Sequence, residues 1–275
     1  MKVAVLFRGS SIGSYEHWQF KDKISVNYKN NIDNLKNNLL DKYECDVFFH
    51  TWRQKDVDFS EYEQLIADLK PKSYLFDEDI DGTHGPDLGG KVTLNAKRVI
   101  EVFNDYRIKN KKDYDLVIML RFDIYFLQEF DLQKILNTQE IQNKIFVYAM
   151  GPNSGKTFVD KNSTKDVGID DNFIIFSPEV VQDYYDCLNM KEETIATTRS
   201  TKFFYPTQHC SLHHLYYLLN DKIKIKNLVD IFGSNYKKSL HGIVKKTEES
   251  GALISRCADS KKTKIGDNLF VIHYS

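Results

Sequence analysis

Two hydrophobic rhythms alternate along the first half of this chain. Short unbroken apolar runs, rich in β-branched and aromatic residues, occur at "KVAVLF" (2–7), "DVFFHTW" (46–52), "KSYLF" (72–76) and "DLVIMLRF" (115–122). Their length and composition predict strands, several of them buried on both faces. Between them the apolar positions recur at helical spacing. In "NNIDNLKNNLLDKY" (30–43) the stripe is Ile32, Leu35, Leu39 and Leu40. In "KVTLNAKRVIEVFNDY" (91–106) it is Val92, Ala96, Val99, Ile100 and Phe103. "SEYEQLIADL" (60–69) predicts a third helix, with Ser60 as its cap and Glu63 completing a capping box.

This alternation predicts an α/β fold, a mainly parallel central sheet flanked by helices on both faces. In such sheets ligands bind beyond the carboxyl ends of the strands. That rule singles out Arg8-Gly9-Ser10, His50-Thr51-Trp52, the segment from Asp77 to Asp81, and Arg121 with Asp123. The second half is less regular. "KIFVYAM" (144–150), "NFIIFS" (172–177) and "NLFVIHYS" (268–275) predict strands. "PEVVQDYYDCLNM" (178–190), with Pro at its first position, and "TQHCSLHHLYYLLN" (207–220) predict helices. The loops at 77–90, 151–171, 191–206 and 232–250 are long enough to suggest functional segments. With no internal repeat and no linker, one domain spanning 1–275 is expected.

Composition narrows the partners. Hydrophobic residues make up 41% and aromatics 13% of the 275 residues, enough for a sizeable core. The 38 basic and 39 acidic side chains nearly cancel. Extended nucleic-acid binding is therefore disfavoured, and an anionic ligand must be held by a local cluster. Cys45, Cys187, Cys210 and Cys257 form no CxxC pair, so reduced thiols are expected rather than a zinc knuckle or a disulfide framework. No run approaches the roughly 20 apolar residues of a membrane span. "MKVAVLFRGS" has too short an apolar stretch for a signal peptide. A soluble, cytoplasmic protein is the expectation.

Several motifs carry chemistry, each against a plainer explanation. "GPNSGKT" (151–157) imitates a phosphate-binding loop, but only three residues separate Gly151 from Gly155 and no amphipathic run follows. A loop bearing a lysine is the better reading. "LFDEDID" (75–81) spaces Asp77, Asp79 and Asp81 in a way that suits Mg²⁺ or Mn²⁺, and equally suits a solvated turn. "LRFD" (120–123) aims Arg121 and Asp123 from one strand end, which fits either a diphosphate site or a structural ion pair. "GIDDNFIIFSP" (168–178) offers Asp170 or Asp171 as a general base, or as a turn aspartate. "VIHYS" (271–275) leaves His273 at a strand end, as ligand or as structural residue. His209 and His213 share a helix face without the glutamate of a zinc protease motif.

Taken in order, "KVAVLFRG", "DVFFHTW", the carboxylate near position 120, "DDNFIIFSPE" and the terminal "VIH" resemble GT-A-type, nucleotide-sugar-dependent glycosyltransferases. The nearest likeness is to small cytosolic enzymes of bacterial surface-polysaccharide clusters or of large DNA viruses. The resemblance covers nearly the whole chain. It implies a Rossmann-like nucleotide-sugar-binding half at about 1–126 and a less regular acceptor-side half at about 127–275.

By that resemblance Arg8 and Gly9 line the nucleotide pocket. Asp123 matches the last carboxylate of the Asp-x-Asp signature and His273 a C-terminal metal or phosphate ligand. Lys97 and Arg98 approach the diphosphate. Asp170 or Asp171 stands near the acceptor as the base. Arg121 departs from the pattern, for it occupies the place of the first Asp. A Mn²⁺ or Mg²⁺ cofactor is therefore implied but questioned. The expected partners are a nucleotide-sugar donor, a UDP-sugar in this reading, and a glycan acceptor. The alternatives are a sugar nucleotidyltransferase, which usually carries a better Gly-rich loop than "RGSSIGS", and a non-catalytic carbohydrate-binding protein with a degenerate site.

Overall fold

Three of the four apolar runs of the first half become the middle of a sheet, and the run at 72–76 becomes its edge. The computed structural model describes residues 1–16, 23–78, 88–126, 129–137, 146–150, 170–189, 224–227, 243–244, 254–256, 260–264 and 270–274. In it β1 (Lys2–Arg8) lies between β4 (Glu44–Arg53) and β6 (Leu116–Arg121), parallel to both, and β5 (Ser73–Glu78) continues the parallel set beyond β4. On the far side of β6 follow β9 (Asp170–Phe176), β8 (Phe146–Met150) and β10 (Lys224–Asn227). β9 runs antiparallel to β6 and to β8, while β10 is parallel to β8. The seven-stranded order is β10-β8-β9-β6-β1-β4-β5, mainly parallel as the sequence predicts.

Side chains alternate across the sheet, and each face meets its own helices. Val3, Val5 and Phe7 of β1 and Leu116, Ile118 and Leu120 of β6 share one cluster with α1 (Ile32–Leu35), α2 (Phe59–Leu69) and α4 (Leu132–Leu136). Ala4, Leu6, Val117 and Met119 face the other way, toward α3 (Leu88–Asn110) and α5 (Val180–Leu188). From α3 the buried contacts include Ala96, Val99, Ile100 and Phe103, most of the stripe predicted there, with Val102 beside them. At about 1.5–3 kcal/mol for each large apolar side chain, these two clusters are the main source of stability.

Some details differ from expectation. The helix foreseen over 30–43 is broken into a 3₁₀ turn at Tyr28–Asn30, the short α1, and one π turn at Lys36–Leu40. The cap of α2 is Asp58, not Ser60. Its carboxylate stands one position before the helix and accepts from the Ser60 N–H at 2.8 Å. Pro178 sits in the turn ahead of α5 rather than at its first residue. The last predicted strand, β14 (Phe270–Tyr274), joins β13 (Ser260–Lys264) and β11 (Ile243–Val244) in a separate sheet. β12 (Ile254–Arg256) pairs with β7 (Ile124–Phe126).

A hairpin of β2 (Ile12–Glu16) and β3 (Lys23–Asn27) follows β1 directly, where no element was foreseen. β4 and the residue after it fix the hairpin. Thr51 Oγ1 accepts from Ser11 N at 3.1 Å, and Gln54 Oε1 accepts from Ser14 N at 2.9 Å. Gly13 is required there, since its φ is +105° and an added Cβ would lie 2.0 Å from Gln54 Oε1.

Cys45 and Cys187 are free thiols; Cys210 and Cys257 lie outside the described residues. So do "GPNSGKT", Asp79, Asp81 and the predicted helix over 207–220. Among the described residues no helix is long and apolar enough to cross a membrane.

Candidate functional site at the carboxyl edge

Register places three of the candidate positions in one row. Arg8 is paired with His50 on β4 and with Arg121 on β6. In-register neighbours project to the same face, here the face of α3 and α5. Arg8 is buried to 1% exposure and His50 to 0%, whereas the Arg121 side chain keeps 20% of its surface. Arg121 is therefore the cation nearest to solvent in the row, with Arg8 beneath the surface beside it. Just past Arg8 the chain turns at Gly9, whose φ of +93° only glycine adopts without strain.

β6 ends at Arg121, so Asp123 is in the turn that follows, not on the strand. The two nevertheless meet, and Phe122 explains how. Its ring stacks on Phe7 at 5.3 Å and meets Phe49 edge-on at 5.9 Å, inside the opposite core cluster. With Phe122 anchored there, its neighbours converge on the other side. Arg121 Nε donates to Asp123 Oδ1 at 2.8 Å and a terminal guanidinium nitrogen donates to Oδ2 at 3.0 Å. Such a fork-to-fork pair is the strongest geometry available to these two groups. The Asp123 side chain is 1% exposed.

A second charged cluster stands beside it. His50 Nε2 lies 3.2 Å from Asp77 Oδ2, and Arg98 Nε donates to the same oxygen at 3.2 Å. Arg98 also donates to Glu101, which accepts from the Tyr185 hydroxyl at 2.7 Å. Burial pulls the His50 imidazole down to about 4, an effect Asp77 only partly offsets. At neutral pH the ring is therefore uncharged, and Nε2–H is the donor to Asp77. Lys97, on the same helix as Arg98, is half-buried.

The reversed direction of β9 brings its first residues to the same edge. Phe173 is in register with Leu120, so Asp170 and Asp171, which precede Phe173, lie along the chain toward the Arg121 end. Asp170 registers with Met150 after a shift in the ladder at Ala149. His273 is on β14, opposite Lys261, in the separate sheet, with β14 running beside β3.

Asp123 as held here does not fit a divalent cation. Both of its oxygens already bond one guanidinium, and a metal placed there would face that positive charge at contact distance. Among the described residues no group of three or more His, Cys, Asp or Glu is placed to hold a metal.

The residue that sequence reasoning missed is Asn31. Asn31 Nδ2 donates to the carbonyls of Phe122 and Ile124, on either side of Asp123. The signal was present as a row of asparagines, Asn31, Asn34 and Asn38, beside the apolar stripe.

No protein-family model matches the chain, and no curated protein matches it. Among solved structures, the galactosyltransferase LgtC in complex with donor and acceptor sugar analogues is similar at 10% identity and a TM-score of 0.49. That match covers 94% of this chain and 87% of LgtC. A glycosyltransferase involved in the glycosylation of the major capsid of PBCV-1 is similar at 9% identity and a TM-score of 0.47, over 98% of this chain and 96% of that one. The glycosyltransferase GlyE of Streptococcus pneumoniae TIGR4 is similar at 12% identity and a TM-score of 0.35; the match covers 82% of this chain but spans only 44% of GlyE. A nucleoside-diphosphate-sugar pyrophosphorylase from Vibrio cholerae RC9 is similar at 12% identity and a TM-score of 0.40, over 82% of this chain and 91% of that one. Likeness this distant adds nothing to the strand order and register, on which the α/β fold stands.

Proposed function

We propose that this chain is a GT-A-like glycosyltransferase that moves a sugar from a nucleotide-sugar donor, a UDP-sugar in the simplest case, to a glycan hydroxyl. The observation that carries the reading is the row of Arg8 and Arg121 at the carboxyl edge, beside Asp123 and the Gly9 turn. A parallel sheet offers its ligand site at that edge, and a departing nucleoside diphosphate needs positive charge there.

In this reading Arg121, whose side chain keeps some exposure, faces the diphosphate while Asp123 keeps it oriented. Arg8 adds positive potential from beneath, and Gly9 lets the backbone approach the nucleotide. Lys97 and Arg98 stand further along the same face. The acceptor oxygen bonds to the anomeric carbon as the bond to the diphosphate breaks, and the electron pair leaves with the diphosphate. Asp170 or Asp171 takes the acceptor proton. Arg121 does the work that a metal on Asp123 and His273 would otherwise do, so no step depends on a divalent ion.

A carboxylate bonded through both oxygens to Arg121 also suits a binding protein that has lost catalysis. Calorimetry with UDP, GDP and CMP, with and without Mn²⁺, tests the pocket. Binding of a nucleotide at equal affinity with and without the metal is expected, and binding of none sinks the proposal. Donor hydrolysis then separates enzyme from binder. Measurable hydrolysis, lowered in Asp170→Asn or Asp171→Asn at saturating donor, is the expected result.

A further inference from the structure

The turn that carries Asp123 is held by a side chain from a distant part of the chain. We infer that Asn31 is a positioning residue, acting through the 122–124 backbone to set Arg121 and Asp123 for the nucleoside diphosphate. This rests on the function proposed above and deepens it.

The asparagines of the 31–38 segment act as a substitute strand. Asn34 exchanges two bonds with Phe126, donating to its carbonyl at 2.9 Å and accepting from its N–H at 2.7 Å. That is the exchange a neighbouring β-strand would make. Asn38 Oδ1 accepts from Phe130 N at 3.4 Å. The π turn at Lys36–Leu40 overlaps the end of this segment and contains Asn38.

Asn31 differs from the other two. It is 2% exposed, and both of its bonds run from one NH₂ group, at 2.7 Å to the carbonyl of Phe122 and also to that of Ile124. These two carbonyls bracket Asp123. Its own Oδ1 is buried without a hydrogen-bond partner among the described residues. A buried acceptor left unmatched is costly, so the site keeps this amide for its two donors.

The same residue ties in the first-strand loop. Asn31 N donates to the Tyr28 carbonyl at 3.1 Å, and Tyr28 N donates to the Ser11 carbonyl at 2.8 Å. Ser11 follows Gly9 and Ser10 after β1. The Tyr28–Asn31 segment is thus a strut between the Gly9–Ser11 loop and the Asp123 turn, the two parts proposed to grip the donor. A hydrogen-bonded strut of this kind sets geometry without touching ligand.

The test uses the full chain and UDP as probe. Affinity is measured by calorimetry and stability by urea unfolding, for wild type, Asn31→Ala and Asn34→Ala, with and without Arg121→Ala. Asn34→Ala removes the neighbouring rung and serves as the control for general loosening. Asn31→Ala is expected to weaken UDP about tenfold, while Asn34→Ala changes affinity by less than about twofold. In the Arg121→Ala background the Asn31→Ala effect should shrink to less than about twofold, because the residue it positions is gone. If Asn31→Ala fails to fold, Asn31→Ser carries the same comparison.

Wild-type UDP affinity in Asn31→Ala overturns the inference. So does an equal loss in Asn34→Ala, or an undiminished Asn31→Ala loss without Arg121. Wild type that binds none of UDP, GDP or CMP overturns the proposed function and this inference together, which distinguishes the two failures.

Discussion

Two carboxylates at the carboxyl edge are held by arginine in opposite ways. Asp123 gives both oxygens to one guanidinium two residues away, and its side chain is 1% exposed. Asp77 gives one oxygen to two partners from two elements, His50 on β4 and Arg98 on α3, and is 26% exposed. The first pair joins neighbours on one turn and is backed by the core behind Phe122. The second is open to solvent and knits three elements together. Burial decides what each is worth. A mostly buried pair is expensive to break because solvent only partly reaches the surviving charge, while a solvent-facing pair is replaced by water.

The sharpest way to break this comparison is a matched pair of substitutions. Asp123→Asn leaves Arg121 opposite a neutral amide in a mostly buried site, and should cost about 4 kcal/mol of unfolding free energy. Asp77→Asn keeps an acceptor for His50 and leaves Arg98 to water, so its cost should stay below about 1 kcal/mol. Urea unfolding measures both. Equal costs would mean that burial does not separate the two sites.

Acid tests the second cluster by itself. The folded-state value of His50 is about 4, below its ordinary 6.5. As pH falls from 6.5 to about 4, the unfolded chain binds a proton on His50 that the folded chain refuses. Stability is therefore full above 6.5, declines through that window, and loses about 3 kcal/mol by its lower end. Asp58, held below its ordinary value by the Ser60 hydroxyl and N–H, contributes only at lower pH still. His50→Gln should remove close to one proton from the slope of stability against pH in that window. An unchanged slope would show that His50 is charged in the folded protein.

Both clusters were half legible in the chain. The apolar run Val117–Leu120 revealed β6, and period-2 spacing brought Arg121 and Asp123 together, although Asp123 reaches its place from a turn. The stripe from Ala96 to Phe103 revealed α3 and with it the position of Arg98. Direction and reach were not legible. Nothing in "NFIIFS" says that β9 runs against its neighbours, yet that reversal is what brings Asp170 and Asp171 to the site's edge. The β2–β3 hairpin depends on Thr51 and Gln54, 40 residues away, and its own residues show no strong alternation. Asn31 bonds main-chain carbonyls 91 and 93 residues away. The spacing of Asn31, Asn34 and Asn38 puts them on one side of the segment, but it does not name their partners, because any segment offers the same carbonyls.

The smallest effect is the most telling about how the open cluster works. Arg98 is 39% exposed and bonds Asp77 and Glu101, so Arg98→Ala should cost only about 0.5 kcal/mol at neutral pH. Its larger consequence falls on His50. The Arg98 charge is one of the influences that lower the His50 imidazole, after burial, and it also competes for the Asp77 carboxylate. Without Arg98 the imidazole should rise toward its ordinary value, and the folded chain should accept its proton at a higher pH. The acid decline then begins at the same pH but ends sooner, so the variant loses less stability on acidification than wild type. Titration of the His50 ring by NMR reads the shift directly. A His50 that titrates as in wild type would show Asp77 to be held for His50 alone, with Arg98 a bystander on its exposed side.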